Sequence, residues 1–169
     1  ADAGHREAVE KGFVEGPRLF VSGQPISQTG GHGDSRYPAE KMDLCGCSVK
    51  SGFGRIADGV PAVRAAVRDQ LRRGANQIKI MGSGGTSTMA DPIDYEQYSM
   101  EELEAAVDEA TRRGTYVLAH AYTAGAIRRC IQAGVRSIEH GNLLDEDCAA
   151  DMAKAGAFLV PTLIVYQKV

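Results

Sequence analysis

The chain has 169 residues, 43% of them hydrophobic, enough to bury one sizeable core and too few for two large domains. The formal net charge is -3, with acids and bases interspersed and no basic run, which argues against a nucleic-acid partner and favours small-molecule chemistry. Phe158 to Tyr166, the longest apolar stretch near the C-terminus, is interrupted by Pro161 and Thr162 and falls far short of a bilayer span, so no membrane partner is expected.

The chain begins Ala-Asp-Ala without methionine and shows no basic region followed by an apolar one. Its native N-terminus is therefore expected upstream, which leaves export open. Cys45 and Cys47 form a C-x-C, and Cys130 and Cys148 stand alone on segments of helical period. With no C-x-x-C pair and no zinc-finger spacing, structural or incidental roles and a reducing, cytoplasmic setting are expected.

A helix is predicted from the N-terminus through about Val14, then a turn at Gly16-Pro17 and a strand over Arg18 to Ser22. Gly23 to about Gly59 is Gly-rich, polar and too long for an ordinary connection, and reads as a functional loop. Pro61 to Arg73 is a helix with Val63, Ala66, Val67 and Leu71 on one face and Gly74 as its stop. Ile78 to Met81 is a strand, followed by Gly82-Ser83-Gly84-Gly85 and a second loop. Ser99 and Glu102 form a capping box for a helix whose apolar stripe is Leu103, Ala106, Val107 and Ala110, ending at Gly114.

Tyr116 to Ala119 is a strand, Thr123 to Ala133 a helix, Val135 to Glu139 a strand, Asp145 to Ala155 a helix closed by Gly156, and Ala157 to Pro161 the last strand. Five strands alternating with helices and no hairpin signal mean right-handed βαβ crossovers, in an open doubly wound sheet or a (β/α)8 barrel. Lys79, His120 and His140 all fall at or near C-terminal strand ends, which converge on one mouth only in a barrel. The fold class is therefore α/β, a partial (β/α)8 TIM-like barrel comprising about the third to seventh strands, with residues 1–169 forming the central part of one domain.

Lysine and histidine are costly to bury without partners, so three of them on successive apolar strands call for one explanation, of which a metal is the simplest. Alternation places Ile78 and Ile80 on one side of their strand and Lys79 on the other. A buried lysine can act as a nucleophile, react with carbon dioxide to give an anionic two-oxygen carbamate, or pair with an acid such as Glu139. Imidazole is the commonest neutral nitrogen ligand, so His120 and His140 on the next two strand ends favour a shared zinc-type site. His5, on an exposed-looking helical stretch, is assigned no role. Gly82, Gly84 and Gly85 could cradle a phosphate, but the simpler role is to let backbone approach the site closely.

Gln77-Ile-Lys-Ile-Met-Gly-Ser-Gly-Gly85, Ala119-His-Ala-Tyr-Thr123, Ile138-Glu-His-Gly141, Val160-Pro-Thr-Leu163, Arg18-Leu-Phe-Val-Ser-Gly23 and Thr29-Gly-Gly-His-Gly-Asp34 together resemble the amidohydrolase superfamily. The nearest branch is the imidazolonepropionase-like and Xaa-Pro dipeptidase-like (prolidase-type) enzymes. The resemblance implies a hydrolase of C–N bonds with two divalent ions, Zn2+ foremost, in a distorted barrel. It makes Lys79 a carboxylated bridging ligand and His120 and His140 ligands of the more exposed ion. A bridging water activated to hydroxide would attack the scissile carbonyl of an amide, cyclic amide or dipeptide.

By the same resemblance, a His-x-His pair would lie upstream of Ala1 and an aspartate base beyond Val169. This stretch would then hold at most one complete metal position and be inactive by itself. Tyr122 corresponds to a tyrosine that reaches the substrate carbonyl or carboxylate, either as an oxyanion donor or as a mouth-lining aromatic. His32 is a candidate substrate contact or mouth closure. Two alternatives remain at this stage: a Schiff-base lyase or aldolase using unmodified Lys79, and a non-catalytic truncated barrel with two unpaired sheet edges. A homo-oligomer is compatible with the sequence, which does not reveal the substrate.

Overall fold

The computed structural model describes residues 2–37, 39, 53–86 and 91–166. In chain order its elements are α1 (Asp2–Glu10), β1 (Ile26–Ser27), β2 (Arg55–Ile56), α2 (Val60–Arg72), β3 (Ile78–Met81), α3 (Met100–Arg112), β4 (Val117–Thr123), α4 (Ala124–Gln132), β5 (Ser137–Leu143), α5 (Glu146–Ala155), β6 (Phe158–Val160) and α6 (Leu163–Tyr166). Six strands form one parallel sheet in the order β2-β1-β3-β4-β5-β6. The sheet does not close, and its regular β-α winding from β3 to β6 is that of a partial (β/α)8 barrel.

Helix ends follow local chemistry. Gly59 (φ 79°) precedes α2 and a proline stands in its first turn, where a missing N–H costs nothing. At α3 the Ser99 hydroxyl accepts from the Glu102 N–H (3.3 Å) while the Glu102 carboxylate accepts from the Ser99 N–H (2.7 Å). The other oxygen of Glu102 accepts from the Gly59 N–H (2.6 Å), so one side chain joins the starts of α2 and α3. Thr123 caps α4, Asp145 caps α5, and Gly156 ends α5 in the left-handed conformation at φ 66°.

The core lies between the helices and the outer face of the sheet. Ile26, Ile78, Ile80, Leu103, Ile127 and Ile138 are essentially fully buried there, each contributing about 1.5–3 kcal/mol. Cys130 on α4 and Cys148 on α5 are buried thiols of this core. Across the α2–α3 contact, buried Glu109 pairs with Arg64 (2.9 Å) and Arg68 (2.5 Å). No helix among the described residues is long and apolar enough to cross a membrane.

Several expectations need correction. Arg18 to Ser22 is not a strand. At Val21 the neighbour is an asparagine instead of a β-ladder: the Val21 N–H donates to Asn76 Oδ1 (2.9 Å), the Asn76 N–H donates to the Val21 carbonyl (2.7 Å), and Phe20 is 64% exposed. The predicted long loop contains β1 and β2, so the described residues form six strands and not five. α1 stops at Glu10, where Gly12 at φ 72° turns the chain, and does not reach Val14. β4 and β5 run beyond Ala119 and Glu139, so His120 and His140 stand within strands and not at their ends. Cys45 and Cys47 lie outside the described residues.

Candidate metal centre

In-register pairing puts Lys79, Leu118 and Ser137 in one transverse row, with Met81, His120 and Glu139 two residues further along. Side chains alternate, so these rows face away from Ile78, Ile80, Val117, Ala119 and Ile138, which pack beneath the helices. By that alternation His140, paired with Ala121, should face the helices with Ile138. It does not. The residue adopts φ 77°, and the ladder shifts register between Ala121 and Thr123, swinging the imidazole to the inner face.

Four rings meet there. His120 and His140 lie edge to face with centroids 4.7 Å apart, and Tyr122 contacts both at 5.0 Å, stacked on His140. His32, from the loop after β1, stacks on His120 at 4.2 Å and 14°. His120, His140, Tyr122 and His32 are thus brought into one cluster.

The glycines of the loop after β3 permit this approach. A Cβ on Gly85 would sit 2.0 Å from His32 Cε1, one on Gly84 1.9 Å from the Pro92 carbonyl oxygen, and one on Gly82 2.6 Å from Cys130 Sγ. Their N–H groups donate to the His120, Tyr95 and Asp91 carbonyls and form no anion cradle.

Hydrogen bonds fix which ring nitrogens remain. His120 Nε2 lies 2.9 Å from the Gly84 carbonyl oxygen, which can only accept, so Nε2 carries the proton and Nδ1 keeps its lone pair. His140 Nδ1 bonds Thr162 Oγ1 at 2.8 Å, which turns Nε2 away from that contact. Thr162 is itself strained at φ 46°. Burial, aided by neighbouring His32, His140 and Lys79, pulls His120 down to about 3 despite its bond to Gly84. Burial and nearby Lys79 and His32 bring His140 to about 4. Both are neutral imidazoles at pH 7, the form that ligates metals.

Lys79 is largely buried and lowered to about 8 by desolvation, with Glu139 and Cys130 opposing the shift. It forms no hydrogen bond or ion pair among the described residues, and Glu139, the acid whose charge it feels, instead accepts from the Ser137 hydroxyl at 2.7 Å. Direct pairing with Glu139, one of the sequence alternatives, does not form. No three His, Cys, Asp or Glu side chains among the described residues converge as a metal site. The donor set nevertheless fits a divalent cation: two neutral imidazoles with a free nitrogen each, beside a lysine without an ion pair that as a carbamate would bring anionic oxygens.

Sequence reasoning missed two supporting groups. Asp91, 3% exposed, lies 3.1 Å from His32 Nδ1, and Gln97, 1% exposed, bonds both Asp91 and the His32 backbone. Asp91 stands in a loop 59 residues from His32, with no motif to mark it. Thr162 falls within the Val160-Pro-Thr-Leu163 motif, but its bond to His140 is visible only in the structure.

The amidohydrolase family profile matches residues 1–168. Among curated proteins, ochratoxinase of Aspergillus niger is 39% identical over 95% of this chain, which spans 35% of that protein's length. Among solved structures, an amidohydrolase is 54% identical with a TM-score of 0.90, covering 95% of this chain and 40% of its own. A prolidase complexed with N-methylphosphonate-L-proline is 52% identical with a TM-score of 0.92, covering 97% and 40% respectively. A profile matching almost end to end, on a sheet that gathers the expected histidines, shows that the chain belongs to the amidohydrolase family, in its prolidase and ochratoxinase-like branch.

Proposed function

We propose that the protein to which this chain belongs is a metal-dependent hydrolase of C–N bonds, with Lys79, His120 and His140 as metal ligands and a dipeptide or N-acyl amino acid as substrate. The observation that carries the reading is the convergence of two neutral histidines whose remaining nitrogens, Nδ1 of His120 and Nε2 of His140, are left over from bonds to Gly84 and Thr162. The relatives add support: one is a prolidase that holds a phosphonate derivative of proline, another an ochratoxinase.

At pH 7 a lysine lowered to about 8 is about one-tenth neutral amine, able to add carbon dioxide and release a proton to give the carbamate. The lost positive charge removes the desolvation cost of a largely buried ammonium that Glu139 offsets only in part. A divalent cation held by these groups, Zn2+ being the best match, supplies water activation and carbonyl polarisation. Tyr122, packed against both histidines, orients the substrate through its phenol, and His32, stacked on His120, lines the mouth beside it.

In the full-length protein, Lys79→Ala is expected to lose most bound metal and most hydrolysis of Xaa-Pro dipeptides and N-acyl amino acids. Unchanged activity would sink the reading. The Schiff-base alternative uses the same amine but leaves the paired histidines unexplained. Borohydride trapping of a carbonyl substrate on Lys79 would favour it.

A further inference from the structure

His32 reaches the ring cluster from a loop, and a loop histidine stacked flat on another imidazole needs something to hold it. The stack itself is a 4.2 Å contact that fixes neither the flip of the ring nor its tautomer. Three contacts, one of them fully buried, supply that restraint. The Asp91 carboxylate stands 3.1 Å from His32 Nδ1 and can only accept, so Nδ1 carries the proton. The Gln97 amide donates to the second Asp91 oxygen at 2.6 Å, and its carbonyl accepts from the His32 N–H at 3.2 Å. Gln97 thereby grips both ends of the pair. Gly31, whose Cβ would fall 2.6 Å from Gln97 Oε1, and Gly85, lying against the His32 ring edge, leave room for the clamp.

We infer that Asp91, braced by Gln97, is a positioning residue that locks the His32 ring in the Nδ1–H form and seats it against His120 at the mouth. The inference rests on the hydrolase reading for its catalytic consequence, but the lock stands on geometry alone. The loop after β1 is thereby pinned by the loop after β3, so the His32 side of the ring cluster is preorganised before substrate arrives. Asp91 does not act on substrate. It acts through His32.

The test is Asp91→Asn and, should that variant fail to fold, Gln97→Met, each in the full-length protein with 15N-labelled histidine. An asparagine can donate to His32 Nδ1 and release the ring into the other tautomer. The expected result is a change in the His32 15N pattern from Nδ1–H to Nε2–H or a mixture, and a fall in kcat/KM on the order of 100-fold, the scale of a misplaced contact group. Bound metal per chain and melting temperature stay near those of the unaltered protein. A merely structural role would lower kcat together with metal content and leave KM and the His32 tautomer alone. Unaltered His32 signals and kinetics in both variants would overturn the inference. A switched tautomer in a protein that hydrolyses no amide even unmutated would uphold the lock and refute the hydrolase reading.

Discussion

Lys79→Met separates a lysine kept for function from one kept for stability. Methionine matches its length and its apolar stem and removes only the ammonium. The fall from 10.5 to about 8 corresponds to about 3 kcal/mol that the charged amine costs the fold at pH 7. In chelator and carbon-dioxide-free buffer, Lys79→Met should therefore raise the urea midpoint, by up to that amount of free energy. The lysine's folded value is depressed, so its stability contribution is fully present above 10.5 and lost as pH falls to about 8. The variant's advantage should accordingly shrink as pH rises through that window. With bicarbonate and Zn2+ the order should reverse, because carbamate formation removes the cost of the ammonium and metal at 1,000 times its Kd adds about 4.1 kcal/mol to the protein that can bind it. A variant less stable under both conditions would refute the reasoning, since Lys79 would then be making a favourable structural contact.

Acid should weaken the metal-free protein. His120 and His140 are held neutral to about 3 and about 4, whereas unfolded histidine protonates near 6.5, so stability present above 6.5 is lost as pH falls toward those values. Urea midpoints between pH 7 and 4 should show this slope, and His120→Asn should flatten it; a flat profile in the unaltered protein would contradict the burial of these rings. Gly85→Ala places a methyl 2.0 Å from His32 Cε1. It should cost about 1–3 kcal/mol and displace His32, visible as shifted imidazole resonances, while an unmoved His32 would refute the close approach.

The parts of the molecule legible in the sequence are those written in local chemistry. The capping box at Ser99, the glycines after α2, α3 and α5, and the alternation that turns Lys79 away from Ile78 and Ile80 each act within a few residues, and each appears in the structure. β1 and β2 are two residues long, too short to carry any period, and vanished into a Gly-rich stretch. Arg18 to Ser22 carries an apolar core like a strand, but the backbone of Val21 is satisfied by Asn76, and only tertiary structure shows that. His140 was placed at the site by its strand, yet strict alternation would have pointed it outward; its φ of 77° is the missing information. Asp91 and Gln97 escaped notice because their role is a contact between distant loops.

The left-handed backbones of His140 and Thr162 set stability against use. Glycine or asparagine would occupy either position with less strain, on the order of 1 kcal/mol, and glycine at 140 would also spare the fold a half-buried imidazole. Random mutagenesis screened only for heat tolerance should drift toward such replacements. A screen that also demands turnover should reject them, so the two selections would diverge at the same pair of codons.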